Sequence, residues 1–390
     1  MIEIRTPGED DFGPLTEFDA RSFGSGAYTP EDREMTRPTM DLERYRLAFD
    51  NGAIVGAAGS DPFEMTLPGL TTIPMAGVTW VAVAVTHRRQ GLLRRLMGDV
   101  HEDIADRGEP VACLTASEGG IYERFGYGVA TRRRIIEIDR RRSSIAERFR
   151  PPAGSVQLSG GAADGVVEER WDRYRRGRAG ELSRSPEWQA KMRFLHGADA
   201  VTAVHDDGFA TWKATPAWNE GHPAHTVRVL DFAAATSAAH AALWHTLLSV
   251  DLVGAVTSNL HPIDDPLPYL LDDARMMRTT GVNDGVWCKP MDIAACFGSR
   301  RYGIDDSIVL EVDGARWQVD GTADDARCRK VRRRADVVTD QAGAGALLLG
   351  GVTPSQLVAG RRAEVRDHGA SRRADAFFAT SPLPHSTTAF

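Results

Sequence analysis

The chain has 390 residues, of which 42% are hydrophobic and 26% are charged, and its formal net charge is −7. This length predicts two to three domains, and the composition and charge argue against disorder and against nucleic-acid binding. No segment approaches the ~20 apolar residues of a membrane span, and the first residues do not resemble a signal peptide. The four cysteines suggest neither a disulfide framework nor a metal pair. We therefore expect a cytoplasmic protein without a metal site.

Strands and helices alternate over residues 1–150, which we predict to be the first domain. Asn51-Gly52 is a strong hairpin signal, and the apolar spacing after Gly91 is helical. In chain order we predict a strand at Glu3–Arg5, a helix at Asp10–Ser22, a hairpin of Tyr45–Phe49 and Ala53–Ser60, a strand at Val78–Val85, a helix at Leu92–Asp106, a strand at Val111–Leu114, a short helix at Ile121–Phe125 and a strand at Arg133–Ile138.

Residues 151–285 are predicted to form a second domain, because a Pro-Pro-Ala-Gly run begins at Pro151. Its strand–helix–strand order repeats that of the first domain in outline, without a basic glycine loop. The predicted elements are helices at Val166–Arg178 and Pro186–Phe194, a hairpin over Ala200–Lys213, a strand at Val227–Phe232, a helix at Ser237–Val250 and a strand at Leu252–Thr257.

The pattern changes again over residues 286–390, which we predict to be a third domain of α+β class. Asp313-Gly314 lies between two alternating segments and indicates a hairpin. The predicted elements are a helix at Met291–Cys296, strands at Ser307–Val312, Arg316–Val319 and Ala335–Thr339, helices at Gln341–Leu349 and Pro354–Ala359, and a last element at Ala376–Phe378. The whole chain is thus mixed α/β.

The sharpest motif follows the apolar strand that ends at Val85. A short basic loop with Arg88, Arg89 and Gly91 leads directly into the helix that begins at Leu92. Unpaired backbone N–H groups and the helix dipole favour an anion at such a helix start, and arginine side chains add charge for phosphate. No Walker A or Gly-x-Gly-x-x-Gly dinucleotide motif is present. A solvated basic turn is the alternative interpretation.

The loop resembles the acetyl-CoA pyrophosphate loop of the GCN5-related N-acetyltransferase (GNAT) superfamily, whose pattern is Gln/Arg-x-x-Gly-x-Gly/Ala. This chain has Leu93 at the last position of the pattern. The segment Ala116–Gly128 resembles more specifically the Eis (enhanced intracellular survival) acetyltransferases. That family implies an active GNAT domain, a degenerate GNAT domain and a sterol-carrier-like domain that ends the chain, which matches the three predicted segments.

By this resemblance, acetyl-CoA binds along the strand and loop of the first domain. The backbone of the strand holds the pantetheine, the basic loop holds the pyrophosphate, and two residues of the second motif close the acetyl end. The implied cofactor-binding residues are Val81, Ala82, Val83, Arg88, Arg89, Gln90, Gly91, Leu92, Leu93, Arg94, Ser117 and Glu118.

The resemblance also assigns the two catalytic groups. Acetyl transfer to an amine needs a base for the ammonium and an acid for the departing thiolate. Tyr122 is the expected acid, whereas Tyr127 is expected to pack in the core. The family uses the carboxylate of a C-terminal phenylalanine as the base, and this chain ends in Phe390. The alternative is a frayed chain end, in which case the base would be sought among Glu118 and the acidic residues of the loop after the first helix.

The expected substrate is a cationic amine. The family implies aminoglycosides, acetylated at one or several amines, and lysine-containing peptides are the alternative. Glu31, Asp32 and Glu34 are expected to line the acceptor cleft from a loop after the first helix. Members often carry an acidic residue before the terminal phenylalanine, where this chain has Ala389. A second alternative is a lipid-binding protein with an inert acetyltransferase domain. The resemblance to the family also implies a homohexamer.

Overall fold

The computed structural model describes residues 2–160 and 165–390, and every apolar-periodic segment predicted above forms a regular element there. The N-terminal part contains β1 (Glu3–Arg5), α1 (Phe12–Phe23), α2 (Pro30–Thr36), β2 (Tyr45–Asp50), β3 (Ala53–Thr66), β4 (Thr72–Val83), α3 (Leu92–Asp106), β5 (Val111–Thr115), β6 (Gly128–Val129), β7 (Arg132–Asp139) and β8 (Gln157–Gly160).

The central part contains α4 (Val166–Arg175), α5 (Pro186–His196), β9 (Val201–His205), β10 (Gly208–Thr215), β11 (Trp218–Asn219), β12 (His222–Pro223), β13 (His225–Ala234), α6 (Ser237–Leu248), β14 (Val253–Pro262), α7 (Leu267–Leu270), β15 (Met277–Asp284) and β16 (Val286–Pro290). The C-terminal part contains α8 (Ile293–Ser299), β17 (Asp306–Val312), β18 (Ala315–Gly321), β19 (Ala326–Lys330), β20 (Val337–Thr339), α9 (Gln341–Leu347), α10 (Pro354–Ala359), β21 (Ala363–Val365) and α11 (His368–Phe378).

The first sheet has seven strands in the order β1-β2-β3-β4-β5-β16-β6. Its strands are antiparallel except for β4 and β5, which run parallel over Met75–Gly77 and Val111–Cys113. Helix α3 connects these two strands and buries an apolar stripe at Leu92, Leu96, Met97, Val100 and Ile104, as its spacing predicted.

The second sheet also has seven strands, in the order β15-β7-β14-β13-β10-β9-β8. Strands β13 and β14 form its parallel pair and are connected by α6. The second sheet therefore repeats the strand–helix–strand unit of the first, as the sequence predicted.

Two strands belong to a different sheet from the one that the predicted segments imply. Strand β7 falls within residues 1–150 but pairs with β14 and β15, and β16 falls within residues 286–390 but pairs with β5 and β6. A strand pattern shows which residues are extended but carries no information on which strand they pair with. Strand β7 therefore ties residues 1–150 to the second sheet, and β16 ties residues 286–390 to the first sheet.

The third sheet has the order β19-β18-β17-β20-β21 and packs with α8 to α11. Its core is continuous with one face of the first sheet, because Met65 and Met75 share a buried cluster with Leu347 and Phe377. Among the described residues, no helix is both long enough and apolar enough to cross a membrane.

The predicted acidic loop after the first helix is wrong, because Glu31, Asp32 and Glu34 lie on α2. The Thr29 hydroxyl accepts a hydrogen bond from the Asp32 N–H, and the Asp32 carboxylate accepts one from the Thr29 N–H. This capping box starts the helix with a proline at its first position. The Asp32 side chain is therefore used to cap the helix.

Candidate active site

A cleft opens in the first sheet where β4 and β5 separate. The two strands stop pairing after Gly77 and Cys113, and Val81–Val83 extend beyond that point. Ala82 and Val83 pair with β3 on one side only. The other edge of this strand is therefore available to hydrogen-bond an extended ligand.

The amino terminus of α3 faces the same end of β4. Gly91 occupies the N-cap position with φ 77°, and no side chain caps the helix. A Cβ atom placed on Gly91 would meet nothing within 4 Å, so the backbone is open to a ligand. The first-turn N–H groups of Leu92 to Arg94 are thus suited to bind an anion.

Three arginines surround this helix start. Arg88, Arg89 and Arg94 are exposed, and across residues 2–160 and 165–390 none of them makes a hydrogen bond or ion pair. In contrast, His87 holds the loop in place by contacting Asp50, with 3.3 Å between His87 Nε2 and Asp50 Oδ2. Arginines that no carboxylate neutralises, beside an uncapped helix terminus, form a favourable site for a pyrophosphate.

Tyr122 lies after β5, on the other side of the cleft. Its side chain is buried at 8% exposure in the cluster that contains Val81, Val83 and Leu93. Burial, and then the charge of Glu118, raise the pKa of the Tyr122 phenol. The phenol is therefore protonated at neutral pH, as a general acid must be. Ser117 and Glu118 are exposed at the rim, close to this ring.

Tyr127 packs as the sequence predicted. It is fully buried, and its hydroxyl lies 2.9 Å from His101 Nε2. The Lys289 ammonium donates to the Phe125 carbonyl over 2.8 Å and lies 3.2 Å from His101 Nδ1. Burial lowers the pKa of His101 to about 3, so this imidazole is neutral. Tyr127 thus belongs to a buried polar chain that ties β16 to α3.

The C-terminal residue reaches the point where β4 and β5 separate. The Phe390 ring stacks obliquely on Phe63, with 5.2 Å between ring centroids. A Cβ atom on Gly77 would lie 2.8 Å from Phe390 Cδ2, so the terminal ring fits against the glycine at which strand pairing stops. The chain end is therefore packed at the cleft.

The tail before Phe390 is held by residues of the second domain that the sequence analysis missed. The Trp188 indole N–H donates to the Ala389 carbonyl over 3.1 Å. Arg184 donates to the hydroxyls of Thr387 and Thr388 over 3.1 and 3.0 Å, and pairs with Asp231 at 2.6 Å.

The same arginine is stacked between two indoles, which fixes its orientation. The Arg184 guanidinium carbon lies 3.2 Å from the Trp171 ring centroid and 4.6 Å from that of Trp188. The buried Glu181 carboxyl accepts a hydrogen bond from the Thr387 N–H over 3.1 Å, and burial raises its pKa to about 7. No local motif indicates these residues, because each of their contacts with the tail joins positions about 200 residues apart in the sequence.

Two carboxylates of the N-terminal part, Asp19 on α1 and Asp61 on β3, are partly buried or buried. Asp19 accepts a hydrogen bond from the Tyr28 hydroxyl over 2.9 Å, and Asp61 accepts one from Tyr45 over 2.7 Å. Burial raises the pKa of both carboxyls, to about 6 for Asp61, and the Lys191 ammonium offsets part of this shift. These carboxylates, rather than exposed Glu31 and Glu34, are the partly buried acidic groups beside β3 and α5.

Known proteins are similar to this chain in sequence and in fold. The family model of the acetyltransferase (GNAT) domain matches residues 3–130, and a second such model matches residues 180–287. The N-acetyltransferase Eis of Mycobacterium tuberculosis is 34% identical over 99% of this chain and 98% of its own length. An N-acetyltransferase of Streptomyces avermitilis is 32% identical over 98% of this chain and 99% of its own length.

A solved structure agrees over the whole molecule. Eis1 from Mycobacterium abscessus superposes with a TM-score of 0.88 at 30% sequence identity, and the match covers 100% of both chains. The two GNAT matches coincide with the two strand–helix–strand units described above. The chain belongs to the Eis family of GNAT N-acetyltransferases, and it is an acetyltransferase.

Proposed function

We propose that the protein transfers the acetyl group of acetyl-CoA to an amine of an aminoglycoside-like polyamine, with Tyr122 as general acid and the Phe390 carboxylate as general base. One observation carries the proposal: the buried Tyr122, the free edge of β4 and the terminal residue all belong to the cleft where β4 and β5 separate.

In this mechanism, the Phe390 carboxylate removes a proton from the substrate ammonium, directly or through one water. The amine nitrogen then attacks the thioester carbonyl carbon, and the carbon–sulfur bond breaks. The departing thiolate takes its proton from the Tyr122 hydroxyl, and the phenolate is reprotonated by the proton that the attacking nitrogen loses as it becomes the amide. A carboxylate of ordinary pKa is a weak base. The packing of the Phe390 ring against Phe63 and Gly77 fixes the residue that bears this carboxylate at the cleft.

Acetyl-CoA would lie along Val81–Val83, with its pyrophosphate on the N–H groups of the first turn of α3 and beside Arg88, Arg89 and Arg94. The residues fit this ligand in charge and in access, because Gly91 leaves open space and the arginines carry no internal partner among the described residues. Gln90 and Leu93 would flank the pyrophosphate, and Ser117 and Glu118 would border the acetyl end.

Replacing Gly91 by glutamate should raise the KM for acetyl-CoA. A carboxylate at the helix terminus repels the pyrophosphate. It lowers the binding free energy of acetyl-CoA by up to about 2 kcal/mol, which is equivalent to about thirtyfold in affinity. Gly108→Glu is a matched control, because Gly108 has a similar φ of 69° at the other end of α3 and is equally open. KM values from a free-thiol assay measure the effect; a wild-type KM in Gly91→Glu would exclude this loop.

The acceptor would enter between α2, α5 and the tail, where Asp19 and Asp61 supply negative charge. Kanamycin should therefore be acetylated with a higher kcat/KM than a lysine peptide, by about tenfold, which one additional charge-assisted hydrogen bond supplies. Free-thiol release with each acceptor measures this ratio. A preference for the peptide would favour a peptide N-acetyltransferase, and no thiol release with any amine would favour an inert, lipid-binding protein.

Four expectations remain predictions. They are the homohexamer, the sterol-carrier-like fold of the third domain, the division at residues 1–150, 151–285 and 286–390, and the cytoplasmic location. The resemblance supports the first two, the sequence pattern supports the division, and the composition supports the location.

A further inference from the structure

A basic cavity of about 420 Å³ lies where β7 ends, beside the last turn of α6. Residues 140–144, which follow β7, form one wall, and His245 and Leu248 of α6 form another. Arg150 and Asp272 also line it. Four arginines and a single aspartate thus surround the cavity, although the chain as a whole has a formal net charge of −7. The volume is typical of small-molecule sites.

The carboxylate at this cavity is bound by groups other than arginine. Asp272 accepts hydrogen bonds from the Ser144 N–H over 2.8 Å, from the Ser144 hydroxyl over 2.9 Å and from the Ser143 hydroxyl over 3.0 Å. The Asp273 N–H also donates to it, over 2.8 Å. In the part of the chain that the structure describes, no arginine pairs with Asp272. The serines therefore satisfy the carboxylate that would otherwise neutralise an arginine.

Two of the four arginines have a partner within the fold. Arg140 donates from Nε to the Leu248 carbonyl over 2.9 Å, and it thereby satisfies a carbonyl at the end of α6. Arg141 Nε lies 3.8 Å from Asp139 Oδ1, in an exposed pair that contributes little to stability. The structural roles of these two residues therefore account for their positions.

Arg142 and Arg150 have no such partner. Both are exposed, and within residues 2–160 and 165–390 neither side chain makes a hydrogen bond or an ion pair. Burial, and then the charge of Arg150, lower the pKa of His245, so this imidazole is neutral at neutral pH. The charge of Arg150 thus acts on a residue of the opposite wall. These two arginines are available to a ligand.

Unpaired guanidinium groups from two separate segments suit an anion with several charged oxygens. A guanidinium holds a phosphate group through two parallel N–H···O bonds, and two such groups can hold two phosphates of one ligand. The net charge of −7 disfavours extended polyanions such as nucleic acid, and the size of the cavity suits a small molecule. We propose that this cavity binds a small anion of the di- or triphosphate class, held by Arg142 and Arg150.

The proposed site is separate from the cofactor loop. It lies at the end of β7 in the second sheet, whereas Arg88 and Arg89 precede α3 in the first domain. The proposal therefore depends neither on acetyl transfer nor on the role of Phe390. Any experiment must nevertheless distinguish the two sites, because both attract phosphates.

Isothermal titration of the full chain tests the proposal. CoA is titrated first, and inorganic tripolyphosphate is then titrated in excess CoA, so that the cofactor loop is occupied. We expect one equivalent of tripolyphosphate to bind with a Kd below about 1 mM. A second equivalent of CoA that is lost when Arg142 and Arg150 are replaced would also support the site, since CoA itself contains a pyrophosphate.

Arg142→Gln/Arg150→Gln should weaken the binding of tripolyphosphate by about tenfold or more, because each change removes charge-assisted hydrogen bonds. Both positions are exposed and unpaired among the described residues, so Tm should hold. Arg148→Gln/Arg332→Gln is the matched control, because it removes two charges from exposed positions that do not line the cavity. This control should bind like the wild type.

Orthophosphate and ATP distinguish the sources of the phosphates. Orthophosphate can engage only one guanidinium and should bind about tenfold more weakly than tripolyphosphate. Tighter binding of ATP would assign the site to a nucleoside triphosphate, and tighter binding of tripolyphosphate would assign it to an inorganic one. A single equivalent of CoA with no binding of the three other probes would overturn the proposal. Equal binding of tripolyphosphate by the wild type and by Arg142→Gln/Arg150→Gln would also overturn it.

Discussion

Replacing Tyr122 by phenylalanine is expected to lower kcat by about 10²–10⁴-fold, the usual cost of losing a general acid. The change removes only the hydroxyl from a ring that is buried in the cluster against which Val81, Val83 and Leu93 pack. The cofactor loop is untouched, so acetyl-CoA affinity should hold. Single-turnover rates and CoA titration separate the two quantities.

Tyr127→Phe is the matched control, since it removes the same atom from a ring whose centroid lies 6.2 Å away. Its hydroxyl contacts His101, so its loss leaves a buried imidazole N–H unpaired and costs about 1–3 kcal/mol of stability. We expect a lower Tm with a nearly unchanged kcat. Equal losses of kcat in both variants would remove Tyr122 from the proposed mechanism.

The secondary structure around the proposed site could be predicted from local sequence. Helix α3 begins and ends at the predicted residues because its apolar stripe has a 3.6-residue period and Gly91 precedes it. The basic loop and the segment around Tyr122 could be recognised because each motif consists of consecutive residues. These predictions needed no knowledge of which strands pair.

The parts that depend on distant contacts could not be predicted. Arg184, Trp188 and Glu181 act on a tail about 200 residues away, and nothing in their own neighbourhood distinguishes them. Asp61 looks like any polar residue of a strand until Tyr45 and Lys191 are folded against it. The sheets to which β7 and β16 belong could not be predicted for the same reason, since strand pairing depends on the whole fold.

Extending the chain beyond Phe390 is expected to reduce kcat by about 10²-fold or more, the lower range for loss of a general base. A C-terminal tag converts the terminal carboxylate into an amide, which cannot accept a proton. The Phe390 ring and its contact with Phe63 can remain in place. An identical tag at the amino terminus is the control and should leave kcat unchanged.

The anchors of the tail turn this prediction into a graded series. Trp188→Phe removes the N–H that holds the Ala389 carbonyl but leaves the carboxylate itself, so it should lower kcat less than the C-terminal tag does.

Deleting Phe390 keeps a free carboxylate and withdraws it by about 3.5 Å, beyond hydrogen-bond reach of its former position. The deletion should therefore lower kcat as much as the tag does. Acetyl-CoA affinity and Tm should change little with the tag. If the C-terminally tagged enzyme kept full kcat on its best acceptor, the base would have to be another carboxylate, and Glu118 would be tested first because its charge acts on the Tyr122 phenol.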